Sequence, residues 1–155
     1  MSSPASVAKH PVHPMLVVFP IGLWTFSLVC DVAYATGWGD PIWNDMAFYT
    51  MAGGIAGALL AAVPGFIDFL SLSGAVRSIA LTHMLINLGI VGLYALNLFL
   101  RLGSTPGDIL PIALSSLGMV LLGVSGWLGG ELVYVHNIGV EPQSKSGGER
   151  ISKAA

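Results

Sequence analysis

Four long apolar runs separated by short polar breaks organise the chain, at about residues 15–36, 46–70, 79–102 and 109–135. As a helix rising 1.5 Å per residue the first run spans roughly 33 Å, enough to cross the hydrocarbon layer of a bilayer. Ala33-Tyr34-Ala35 loosely fits a signal-peptidase site, but the run before it is too long for a signal-peptide core and Asp31 interrupts its end. It is therefore read as a retained span. The break at 37–44 carries Trp38 and Trp43, which suit a membrane interface, and the break at 103–108 holds the turn pair Pro106-Gly107. Residues 71–78, with Gly74 and Arg77, are expected to turn.

This pattern predicts an all-α, polytopic membrane protein: a four-helix transmembrane bundle forming one domain over residues 1–140. Residues 1–9 are expected to be a short flexible lead. Residues 141–155, rich in Ser, Gly, Lys and Glu, are expected to be a disordered polar tail.

Polar and small residues inside the runs fall on stripes. In the second run Gly53, Gly57, Ala61, Pro64 and Asp68 share a helix face, suited to close packing with a kink at the proline. In the third, His83, Asn87, Tyr94, Asn97 and Arg101 share another. Gly123, Gly126 and Gly130 are expected to form the packing face of the fourth.

Composition agrees, with 54% hydrophobic and 9% charged residues and a mean hydropathy of +0.79. Soluble domains carry about 25% charged residues. A formal net charge of −2 gives no basic field for a nucleic-acid partner. Lys9, Arg77, Lys145, Arg150 and Lys153 share one side of the membrane against Arg101 on the other, so both termini are expected in the cytoplasm. Cys30, alone in an apolar run, is read as a small hydrophobe.

The candidate chemistry lies in the histidines. His10 and His13 each precede a proline at the mouth of the first span, in HPVHPMLVVFPIGL. Proline keeps the residue before it extended, and in polyproline geometry the two rings would point the same way about 9 Å apart. By topology His83 and His136 fall on that same side, as do Asp68 and Glu131. Ionisable groups in spans are costly and mark interiors or functional sites. Each has an ordinary role too: the histidines as interfacial or capping groups, the stripe below His83 as polar glue, Asp68 as a structural ion pair with Arg77, and Glu131 and His136 as snorkelling groups.

Three readings of this layer follow. Paired imidazoles in a four-helix bundle can hold a b-type haem, with His13 and His83 as the leading axial pair and His136 and His10 as the second. Arg77, with Lys9 and Asn87, would meet the propionates, and glycines of spans two and four would leave a flat slot. Electrons would pass to a quinone or a redox protein. Alternatively His10, His13, His83 and His136 with Asp68 or Glu131 would bind an Fe, Zn or Cu ion directly, in metal handling or an oxidase-like reaction. The third reading is a cofactor-free transporter, with the stripe lining its path, or a structural subunit of a homo-oligomer or larger complex. Motifs for c-type haem, nucleotides and nucleophilic hydrolases are absent, and the sequence does not settle whether the protein is an enzyme.

HPVHPMLVVFPIGL, GFIDFL followed by a basic turn and LTHMLIN, and GWLGGELVYVHNIGV together resemble the bacterial membrane-protein family known as domain of unknown function 2231. The resemblance covers nearly all of residues 10–140. It implies a four-span bundle, marks His10, His13, Asp68, Arg77, His83, Glu131 and His136 as motif positions, and implies no activity. Some members carry a Rieske-type iron–sulfur domain, so the resemblance also points toward electron transfer, with any redox partner of this chain expected to be a separate protein.

Overall fold

The computed structural model describes residues 3–38 and 40–140; the tail expected at 141–155 lies outside the described residues. The stretches Val12–Trp38, Ile42–Leu70, Gly74–Arg101 and Ile109–Val135 are each helical, long and apolar enough to cross a membrane. The chain is a four-span membrane protein. Its helices are α1 (Val12–Leu16), α2 (Val18–Ala33), α3 (Ile42–Leu70), α4 (Gly74–Arg101) and α5 (Ile109–Gly130). Single wide turns, Tyr34–Trp38 and Glu131–Val135, extend α2 and α5.

The segment before α1 is a small hairpin, β1 (Ser6–Val7) against β2 (His10–Pro11), with Val7 opposite His10. Its turn residues Ala8 and Lys9 both have positive φ, the geometry of tight two-residue hairpins. This overturns the expectation that His10 and His13 extend side by side. The hairpin leaves His10 exposed, with Nδ1 on its own Ala8 carbonyl at 2.8 Å, while His13 lies half-buried within α1.

Two other boundaries also differ from expectation. The second connection needs only Ser71 to Ser73, so α4 begins at Gly74, whose φ of +63° suits glycine, and takes up the remainder of the expected turn. Arg77 does not pair with Asp68. Its guanidinium lies 4.4 Å over the Phe69 ring and donates to the Leu72 carbonyl at 3.1 Å, clamping the turn. Asp68 instead accepts from Ser3 Oγ at 2.7 Å and the Ala5 N–H at 3.0 Å, tying the N-terminal hairpin to the end of α3.

Helices associate here through close packing and internal hydrogen bonds, because lipid offers no hydrophobic drive between them. The small-residue face of α3 meets α1 and α2 as expected. A Cβ at Gly57 would stand 3.3 Å from Phe19 and Pro20, and one at Gly54 would overlap the Trp24 ring at Nε1 and Cδ1. On α5 the face is rotated from the expected one. Gly123 and Gly126 look into open space, whereas Gly118 sits under Tyr94 and Gly129 under His83. The large rings of α4 need that clearance, so they select which glycines turn inward.

Trp24, Met51, Ile90 and Tyr94 form the central core, and Phe69, Leu72, Ala80 and Leu132 a second cluster at the histidine end. Outward positions stay apolar, Phe99 at 70% and Trp127 at 79% exposure, as lipid contact requires. Several hydroxyls within the spans bond back to their own helices, Thr50 to the Met46 carbonyl at 2.6 Å and Thr82 to Ser78 at 3.1 Å, while Ser27 of α2 donates across to the Ala47 carbonyl of α3 at 2.7 Å, which satisfies them without water.

Candidate functional site

His13 and His83 meet between α1 and α4, their ring centroids 6.4 Å apart and their planes perpendicular. Each is seated in the same way. His13 Nδ1 lies 2.7 Å from the Ala61 carbonyl of α3, and a Cβ at Gly65, four residues on, would stand 2.7 Å from that nitrogen. His83 Nδ1 lies 2.9 Å from the Ser125 carbonyl of α5, and a Cβ at Gly129, again four residues on, would stand 3.2 Å from its Cε1. A helix carbonyl points along the axis toward the residue one turn later. A side chain there would block a ring approaching the carbonyl, and glycine leaves the approach open. Pro64 helps on α3, since its ring crowds the preceding turn and disturbs the carbonyl ladder beside Ala61.

This seating fixes the tautomers. A carbonyl only accepts, so each Nδ1 must carry the proton, and in the neutral ring each Nε2 keeps its lone pair. Asn87 lies next to one of them. Its Nδ2 reaches Ser125 Oγ at 2.6 Å, the His83 carbonyl at 2.8 Å and His83 Nε2 at 3.2 Å. An amide nitrogen has two hydrogens for those three acceptors, and the ring contact is the longest. The Nε2 lone pair of His83 is thus the least committed of the three.

The other candidates lie apart from this pair. His10 is exposed on the hairpin and His136 half-buried after the last wide turn, where its N–H bonds the Glu131 carbonyl at 3.2 Å. Glu131 is half-buried, Asp68 holds the hairpin, and Arg77 lies on Phe69. Among the described residues no group of three or more His, Cys, Asp or Glu is assembled to hold a metal ion. Two imidazoles with N–H groups fixed on backbone carbonyls are what a metal centre taking two protein nitrogens requires, because that hydrogen bond orients the ring and raises the basicity of its other nitrogen. The 6.4 Å separation and perpendicular planes are those of an edge-to-face ring contact. The glycines do not leave an open slot, however, for the histidine rings themselves fill them.

A second polar centre, absent from the expectations above, occupies the opposite end. Arg101, at the end of α4, donates through Nη1 and Nη2 to Asp31 of α2 at 2.8 and 2.5 Å, with side chains only 7% and 5% exposed. The sequence signal was present: one acid late in the first run and one arginine late in the third, both brought to the same side by topology. Asn97, fully buried, donates to the Pro111 carbonyl and Ser115 Oγ, both at 2.9 Å, and Tyr94 donates to the Ser115 carbonyl at 3.2 Å. The stripe on α4 thus glues α4 to α5 at this end. Between the two polar ends lies the apolar core of Trp24, Met51 and Ile90.

The chain matches the model of the family described as "Predicted membrane protein (DUF2231)" over residues 9–142, and it belongs to that family. No curated protein and no solved structure matches it.

Proposed function

We propose that this is a bacterial inner-membrane redox protein holding a b-type haem between His13 and His83 near the cytoplasmic face, with both termini in the cytoplasm. One observation carries the reading. Two imidazoles from different helices, each with Nδ1 on a backbone carbonyl, stand with their ring centroids 6.4 Å apart. Two nitrogens are what a six-coordinate haem iron takes from a protein, whereas a closed zinc site takes four ligands. The bound group would supply one-electron chemistry. The chain's own part is to fix both rings, exclude water with the Phe69–Leu132 cluster, and hold Ser125 and Asn87 around His83.

The non-haem metal reading uses the same two histidines plus a third ligand, which His136 or Glu131 would provide only by moving. The transporter reading fits less well, because Trp24, Met51 and Ile90 interrupt the polar stripe between the two ends. The test is a pyridine haemochrome assay with elemental analysis on protein purified from membranes. Iron and porphyrin in equal amounts support the proposal. Stoichiometric metal without porphyrin supports the non-haem site, and neither group supports a cofactor-free protein.

A further inference from the structure

Residues 3–16, the hairpin and α1 together, form an arm that stands outside both apolar clusters. α1 buries no residue, and among the described residues the clusters draw on α2 and the elements after it. The arm is held at separate points instead. Ser3 Oγ and the Ala5 N–H donate to Asp68, His13 Nδ1 lies on the Ala61 carbonyl, and the Pro11 ring packs where a Cβ at Gly139 would stand 3.2 Å away. Within the arm the Ala5 carbonyl accepts the Val12 N–H at 3.0 Å and Val7 pairs with His10, so the hairpin and the first turn of α1 form one piece.

Pro20 weakens the joint between this arm and the bundle. A helix carbonyl accepts from the N–H four residues on, and position 20 has none, so the Leu16 carbonyl loses its usual partner and is crowded by the proline ring. α1 accordingly ends at Leu16 and α2 begins at Val18. Val17 between them keeps helical angles, φ −64° and ψ −17°, and its N–H reaches the His13 carbonyl at 3.1 Å, so the joint is a loosened turn rather than a break. Segments with little buried apolar surface and an interrupted hydrogen-bond ladder open at lower free energy than a core.

We infer that the hairpin and α1 are a hinged arm that carries His13 onto and off His83, so that docking the arm assembles the histidine pair and undocking it uncovers His83. His83 stays behind when the arm leaves, because its partners Ser125 and Asn87 belong to α5 and α4. His13 reaches the Ala61 carbonyl only while α1 lies over Gly65. Asp68, two helical turns beyond Ala61 on α3, is the latch for the other end of the arm. The inference rests on the histidine pair as the functional site and not on haem, since the position of the arm is read from the rings themselves.

The test treats the full-length protein in phosphatidylcholine nanodiscs with diethyl pyrocarbonate, which acylates accessible neutral imidazoles, and follows each histidine by mass spectrometry. Haem content is measured on the same sample, so a protein without haem is recognised independently of the arm. In the wild type His10, exposed on the hairpin, is expected to react fastest and His83 slowly. Asp68→Ala undoes the latch and raises the rates of both His13 and His83 by roughly tenfold, the factor that about 1.4 kcal/mol of lost docking gives, while His10 changes little. Gly139→Ala, strained at its φ of +76° and pressed against Pro11, loosens the arm from its other side and moves the same two rates in the same direction. Gly118→Ala crowds Tyr94 in the core instead and leaves them at wild-type values. An unchanged His83 rate in both arm variants, acceleration of His13 alone, or an equal response to Gly118→Ala would each overturn the inference.

Discussion

Trp24 of α2 lies flat on Tyr94 of α4, with ring centroids 4.2 Å apart and planes 5° from parallel. The stack sits between the histidine pair and the Asp31–Arg101 pair, anchored by Trp24 Nε1 donating to the Met51 carbonyl at 3.2 Å. Its two faces are made possible by glycine, Gly54 under the indole and Gly118 under the phenol. A Cβ at Gly118 would fall 2.6 Å from the Tyr94 ring, and both rings are buried, so neither can retreat. Overpacking of this kind costs about 1–3 kcal/mol. Gly54→Ala and Gly118→Ala are each expected to lower the detergent thermal midpoint, whereas Gly123→Ala, which meets nothing, leaves it unchanged.

Substitution at the histidine seats should separate site from fold. In Gly65→Ala the new methyl meets His13 Nδ1, and in Gly129→Ala it meets His83 Cε1 at the milder distance of 3.2 Å. Cofactor content per protein is expected to fall in both variants, further in Gly65→Ala, while the helical circular dichroism of the purified proteins is retained. Equal content in both variants and the wild type would show that the seats are ordinary packing.

The Asp31–Arg101 pair is a structural device with a measurable signature. Removing one partner leaves a buried charge unpaired, a loss of about 3–5 kcal/mol. Asp31→Asn and Arg101→Gln should each destabilise the bundle strongly, and the double variant should cost less than the two singles together. A double-mutant cycle of thermal or denaturant stability reads that coupling directly. Additive losses would contradict the pairing.

Asp68 is expected to control the N-terminal hairpin rather than the second connection. Asp68→Ala removes the acceptor of Ser3 Oγ and the Ala5 N–H, a loss of about 1–3 kcal/mol where the groups are partly buried. Amide exchange at Ala5 should accelerate in Asp68→Ala and not in Arg77→Ala. The reverse ranking would restore the Asp68–Arg77 pair that the sequence suggested.

How far the sequence could be read depends on what each feature is made of. The four spans were legible because length and apolar content alone define them, and the stripe from Tyr94 to Arg101 because helical periodicity puts those residues on one face. The histidine seats were not legible. They join an imidazole to the backbone of a distant helix, and a carbonyl leaves no residue-type signature; only the glycine one turn later hints at it. His10 was misdirected because the left-handed turn falls on Ala8 and Lys9, residues that do not advertise positive φ as glycine or asparagine would. Asp31 looks in sequence like the end of an apolar run because its partner, Arg101, lies in another span.

The most direct test of the central claim is a dithionite-reduced minus oxidised optical spectrum of the purified protein, compared across His10→Ala, His13→Ala, His83→Ala and His136→Ala. A haem held by His13 and His83 gives a low-spin b-type spectrum in the wild type that persists in the His10 and His136 variants and is lost or converted to high spin in the His13 and His83 variants. A wild-type protein without a Soret band, or a spectrum indifferent to His13 and His83, would contradict it.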